Sequence, residues 1–236
     1  MAQDKARRIV VATHNEGKLG EMRAILQKSL DAVAADRDEQ MAEFTLVSAG
    51  QLGLPDPVET GVTFEQNALL KAEDVAKRTG LPALADDSGL IVDVMGAAPG
   101  ILSARWSGVH GDDKANVRLL LAQLQDLPVN KLGAQFVCAA ALVLPTGTGQ
   151  EVVAEQSKPT EFIRTGRMAG HIIHEPRGEQ GFGYDPIFVP DDQPQRALEA
   201  GIELTSAQLS AQEKNAISHR GKALKAIMPT LVSALL

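Results

Sequence analysis

Ile9-Val10-Val11-Ala12-Thr13-His14-Asn15-Glu16-Gly17-Lys18 begins as an apolar run and ends as a polar loop containing one glycine. The run suits a buried strand. Beyond it, Leu19, Met22, Ile25, Leu26 and Leu30 recur at helical spacing, which predicts an amphipathic helix from Lys18 to Leu30. Strand, loop and helix in that order leave free backbone N–H groups at a helix start, a generic anion site. Lys18 adds positive charge where the helix dipole disfavours it, and an anionic partner would offset that cost. The loop has no Gly-Lys-Ser/Thr ending, so it is not a Walker-type phosphate loop.

The same alternation continues outward. Phe64, Ala68, Leu69, Ala72, Val75 and Ala76 form an apolar stripe behind a capping Thr63, predicting a helix over Thr63 to Arg78. Leu81 to Ala85 reads as a strand that stops at Asp86-Asp87 and restarts from Leu90 to Val94. Asn116 to Leu127 reads as a helix, and a closing helix lies within Glu213 to Leu236. Phe136 to Leu144 and Val152 to Glu155 read as strands paired across the turn Pro145 to Gly149. Strands alternating with helices, plus hairpins, predict an α/β fold with a mixed sheet.

Composition narrows the class. The 236 residues can bury a substantial core, and no Gly/Ser-rich linker divides them, so one domain over residues 1–236 is expected. A formal net charge of −7 argues against a broad nucleic-acid surface. It does not exclude a small polyanion, because Lys18, Lys71, Lys214, His219 and Arg220 could gather locally. No apolar run reaches the roughly 20 residues that span a bilayer. Met1 to Arg8 is polar and does not read as a secretory signal, which makes a cytoplasmic location the expectation. Cys138, the one cysteine, lies in an apolar run and reads as a buried strand thiol rather than a nucleophile.

Three groups of residues carry chemistry. Asp86-Asp87-Ser88-Gly89 reads either as a tight turn or, with Glu59, as hard carboxylate ligands suited to Mg²⁺. Adjacent residues in an extended stretch point to opposite faces, so one carboxylate could meet a metal or water while the other braces the backbone. Lys71 stands four residues after Asn67, on the same helical face. Gly181-Phe182-Gly183-Tyr184-Asp185-Pro186 puts an aromatic ring between two glycines, which suggests a backbone that must approach something closely. Ser218-His219-Arg220, with Lys214 upstream, offers donors for phosphate oxygens or a carbonyl edge. A surface turn and a solvated basic helix end are the plain alternatives for the last two. His171 and His174 read as strand-end residues rather than a metal pair.

Taken in order, these blocks resemble the inosine triphosphate pyrophosphatase family, also called Ham1-like. Thr13 to Lys18 is similar to the family's N-terminal phosphate loop, although His14 replaces a usually small residue. Glu59 to Ala68 with Lys71, Ala85 to Leu90, Ala98 to Trp106, Gly181 to Pro186 and Ala216 to Gly221 are similar to its later blocks. The resemblance implies a three-layer architecture, with segments near 31–47 and 190–203 as surface insertions. It implies Mg²⁺-dependent hydrolysis of non-standard purine triphosphates (ITP, dITP or XTP) to monophosphate and pyrophosphate, Mn²⁺ being a possible substitute. Asp87 would be the general base and a metal contact, with Glu59 a second ligand and Asp86 a further candidate. Thr13, His14, Asn15, Glu16, Gly17, Lys18, Lys71 and Ser88 would contact substrate. Phe182 would stack the base, with Gly183, Tyr184, Asp185, Lys214, His219 and Arg220 around it. A homodimer is implied as well. A different base preference, or a nucleotide-binding regulator without turnover, are the rival readings; a pure binding site would not need Glu59, Asp86, Asp87 and Lys71 together.

Overall fold

Thr63 is extended, and its hydroxyl accepts the Gln66 N–H at 3.2 Å, so a helix starts immediately after it. In the computed structural model, which describes residues 8–13, 19–20, 22–25, 27–28, 45–145 and 159–235, this helix is α1, Phe64–Thr79. Gly80, left-handed, ends it. Phe64, Ala68, Ala72, Val75 and Ala76 form its buried face, the stripe expected from spacing. The described residues between 19 and 28 are also helical, with Leu19, Met22 and Ile25 buried.

Six strands form one sheet: β1 Arg8–Val11, β2 Thr45–Ser48, β3 Ala83–Val92, β4 Gly133–Leu144, β5 Thr160–Ile172 and β6 Phe188–Pro190. Their order is β2-β1-β3-β4-β5-β6. β1 runs parallel to β2, with Ile9 opposite Leu46, and to β3, with Val10 opposite Ala83. β5 and β6 are antiparallel, with His171 opposite Val189. The sheet is therefore mixed, and the α/β class is as expected. Cys138 is buried in β4. Among the described residues no helix is long and apolar enough to cross a membrane.

Several boundaries differ from the sequence reading. β3 does not stop at the acidic pair; it runs unbroken through Asp86, Asp87, Ser88 and Gly89. Helix α2, Asp113–Leu124, starts ahead of Asn116 because the Asp112 carboxylate accepts the Ala115 N–H at 3.0 Å. The closing segment is two helices, α4 Ala211–Ile217 and α5 His219–Leu235, separated at the extended Ser218. Residues 45–47 of the segment read as an insertion form most of β2, and 31–44 lie outside the described residues. In the other segment, helix α3 (Gln195–Ala200) buries Ala197 in a small cluster with Leu204 and Leu209. The strand expected at Val152 to Glu155 also lies outside the described residues.

The described residues divide into two compact units. One comprises the described residues up to Asp87, Ala139–Thr165 and those from Gly221 onward; the other comprises Ser88–Cys138 and Gly166–Arg220. β3, β4 and β5 each contribute residues to both. The core of the second unit gathers Leu90, Leu120, Leu124, Leu132, Phe136, Met168, Ile172, Tyr184, Ile187 and Phe188. In the first, Ile9, Val10, Val11, Leu84, Leu142, Leu224 and Ile227 are buried.

Candidate active site

The continuity of β3 sets the first of two clusters. A turn at Asp86-Asp87 would have placed both carboxylates in water, where they need no partners. Instead the strand carries them inside, 4 % and 9 % exposed, and a buried carboxylate needs a compensating cation or donors. Lys71 of α1 supplies the cation: its ammonium donates to Glu59 at 2.9 Å and to Asp87 at 3.0 Å. Asn67, fully buried one helical turn earlier, accepts the Gly61 N–H at 2.8 Å and makes a long 3.4 Å contact from its amide to the other Asp87 oxygen. Asn67 thus ties the Glu59 loop and Asp87 to one helix face.

Among the described residues Lys71 stands with three carboxylates, and the group has a definite electrostatic signature. Burial lowers the Lys71 pKa, but Asp87, Asp86 and Glu59 together outweigh it and hold the ammonium above the ordinary lysine value. Burial raises Asp87; Lys71 offsets this in part, Glu59 and Asp86 add to it, and the carboxyl ends above its usual range. Both partners move up because the acids outweigh the burial of Lys71, while Lys71 does not fully offset the burial and neighbouring charge at Asp87. That surplus of negative charge is what a divalent cation would relieve. Among the described residues no three His, Cys, Asp or Glu side chains converge as a ready-made metal cage. Mg²⁺ does not require one, since it commonly takes one or two carboxylates and fills its other positions with water and substrate phosphates. The all-oxygen set Glu59, Asp86 and Asp87 fits that ion in chemistry.

The second cluster belongs to the second unit and begins at Ser88, the chain neighbour of Asp87. Gly181 and Gly183 both have positive φ, 82° and 60°, so the loop turns tightly on either side of Phe182. A side chain at Gly181 would also collide with the Asp185 carboxylate. That carboxylate accepts the Phe182 N–H at 2.9 Å and pairs with Lys214 at 2.6 Å. The Phe182 ring is 49 % exposed, with the Lys214 ammonium 5.1 Å and the Arg220 guanidinium 5.8 Å from its centroid. Arg220 is otherwise buried and donates to the Ser88 hydroxyl at 3.2 Å. An exposed ring under two cations is a platform open to an electron-rich flat ligand. Phe182 and Gly183 also wall a 440 Å³ pocket with Val117, Pro176 and Pro186; Lys214, His219 and Arg220 are not among its lining residues.

Two of the expected contact residues turn inward. Tyr184 is 3 % exposed and donates its hydroxyl to the Ser103 carbonyl at 2.8 Å. Burial, with a smaller push from Asp113, raises its phenol far above the ordinary value, so it stays a donor. His219 lies almost parallel to Phe136, centroids 5.0 Å apart and planes 13° apart. Both rings are thus packed within their unit. Thr13 is buried just past the end of β1, while His14, Asn15, Glu16, Gly17 and Lys18 lie outside the described residues. Sequence reasoning left out Asn67, which contacts Asp87 in the first cluster, and Asp113, which accepts the Gly183 N–H in the second. His171 sits 3.8 Å from Glu203, while the His174 ring meets the Leu127 carbonyl at 2.9 Å.

A carboxylate–lysine cluster on an α/β sheet, followed in the chain by an aromatic loop under two cations, defines a nucleotide-handling class of protein. Residues 9–230 match the model of the Ham1 family, and the chain belongs to that family. It is 56 % identical to a dITP/XTP pyrophosphatase of Bifidobacterium animalis, over 94 % of this chain and 96 % of the relative. Among solved structures it is similar to a nucleoside-triphosphatase, dITP/XTP pyrophosphatase, of Mycobacterium abscessus, with a TM-score of 0.67, 44 % identity, and coverage of 94 % of this chain and 99 % of the other. A HAM1 protein of Coxiella burnetii gives 0.73 at 37 % identity, covering 96 % and 98 %.

Proposed function

We propose that this chain hydrolyses non-standard purine nucleoside triphosphates, ITP, dITP or XTP, to the monophosphate and pyrophosphate, removing them from the nucleotide pool. The observation that carries the reading is the buried Lys71 shared between Glu59 and Asp87. A site that merely held a nucleotide would not need an aspartate kept above its ordinary range.

In this reading Asp87 accepts a proton from water as the water oxygen attacks the α-phosphorus. The bond from that phosphorus to the bridging oxygen breaks, and pyrophosphate leaves with its electron pair. Glu59 and Asp87, with Asp86 beside them, would hold Mg²⁺, and that ion when bound offsets phosphate charge. Lys71 keeps the carboxylates in register, and with Lys18 and Thr13 it draws the triphosphate. Phe182 stacks the purine, while Arg220 and Lys214 donate to a 6-oxo group, which accepts where the amino group of adenine would oppose them. A homodimer, as the family resemblance implies, and a cytoplasmic location, as the composition suggests, complete the proposal.

A panel of ITP, dITP, XTP, GTP and ATP, assayed with Mg²⁺ and after EDTA, tests it. The 6-oxo substrates should be favoured and EDTA should abolish turnover. ATP as the preferred substrate, or full activity in EDTA, would overturn it.

A further inference from the structure

Phe182 stands between two glycines in left-handed conformations, the residues with the widest backbone freedom. Half of its surface is exposed, so packing does little to fix the ring. The loop is held from within by Asp185, which accepts the Phe182 N–H at 2.9 Å. It is held from outside by a residue 70 positions away: the Asp113 carboxylate accepts the Gly183 N–H at 2.7 Å. A charge-assisted bond of this length is among the stronger kinds.

Asp113 is itself well founded. It opens α2, where the helix dipole favours a carboxylate. Asp112 caps the same turn through the Ala115 N–H. One turn on, the Asn116 side chain accepts the Ser107 N–H at 2.7 Å and donates to the Ala104 carbonyl at 3.2 Å, pinning the start of the helix to the preceding segment. We infer that Asp113 is a positioning residue for base recognition, fixing the Phe182 ring through the Gly183 amide. The inference rests on the proposed stacking role of Phe182, and Asp113 acts through the loop backbone.

The test compares Asp113→Ala with Asp113→Asn, whose side-chain carbonyl can still accept the Gly183 N–H. Losing the bond should raise KM for ITP about tenfold with kcat little changed, whereas the Asn variant should stay near wild type. In a Phe182→Ala background the Asp113→Ala change should add nothing, because the ring it positions is gone. Hydrogen exchange at the Gly183 amide should quicken in the Ala variant and not in the Asn variant. An unchanged KM in Asp113→Ala, or a full additional factor on Phe182→Ala, overturns the inference. If the wild-type protein neither binds nor turns over ITP, the base reading falls. In that case the exchange measurement still decides the tether: equal Gly183 exchange in the Ala variant and wild type overturns it.

Discussion

Nζ of Lys71 lies 3.0 Å from Oδ1 of Asp87 inside the protein, yet the carboxyl remains above the ordinary aspartate range. Burial, with Glu59 and Asp86, raises the carboxyl by more than Lys71 lowers it. An aspartate in that condition costs the fold something when ionised and gains from a cation or a proton.

Asp87→Asn should therefore separate activity from stability. Turnover should fall roughly a hundredfold or more, as for a lost general base. A carboxyl whose folded pKa is raised destabilises the ionised protein at neutral pH, and that cost vanishes below about pH 4. Metal-free Asp87→Asn should then melt at or above the wild-type temperature at pH 7, with the difference disappearing in acid. Near-normal turnover would move the base to Asp86, and a drop of several degrees at pH 7 would contradict the electrostatics.

Lys71→Met removes the ammonium that pairs with Glu59 and Asp87. Breaking a buried pair from one side costs about 3 kcal/mol. Here a divalent cation should recover part of the loss, because the carboxylates that repel are the ones that bind it. Thermal melts with and without Mg²⁺ read this directly, and a Lys71→Met melting temperature that ignores Mg²⁺ would argue against a metal at these residues.

How much of this was legible in the chain depends on the distance over which each residue is decided. The α1 helix declared itself through Thr63 and a stripe of apolar residues, since both signals are local. The β3 strand did not: Asp86-Asp87-Ser88-Gly89 has the composition of a turn, and Lys71 and Asn67, which let it stay extended and buried, come from another element. The helical start of α2 was missed by a few residues because Asp112 and Asp113 look alike in sequence, although one caps the helix and the other reaches Gly183. That His219 stacks on Phe136 and that Tyr184 donates to the Ser103 carbonyl could not be read from either motif, since both partners are distant in sequence. A sequence shows which groups are available; what holds them is set by residues far along the chain.

Base choice should separate Arg220 from Phe182. Arg220→Ala should lower efficiency on ITP far more than on ATP, since a polar group facing the wrong donor discriminates by up to about 10⁴. Phe182→Ala should weaken both by similar factors, because stacking ignores the base edge. Equal losses in Arg220→Ala would assign the guanidinium to phosphate.

Glu213, one residue before Lys214 in α4, offers a pH test of the fold. Hydrogen bonds from the Arg196 guanidinium and then from the Ser210 backbone and hydroxyl hold its carboxyl down at about 2. Its folded pKa is depressed, so its contribution is present above the usual carboxylate range and is lost as pH falls toward 2. Carboxyl NMR titration should find Glu213 titrating near 2, and Arg196→Ala should return it toward an ordinary glutamate. A wild-type value near 4.5 would remove the pairing.

The central claim is that water attacks the α-phosphorus and pyrophosphate departs whole. Turnover of ITP in ¹⁸O-labelled water, with pyrophosphate and orthophosphate measured separately, tests it most directly. The account predicts unlabelled pyrophosphate and inosine monophosphate carrying one labelled oxygen. Labelled orthophosphate with inosine diphosphate as the first products would contradict it.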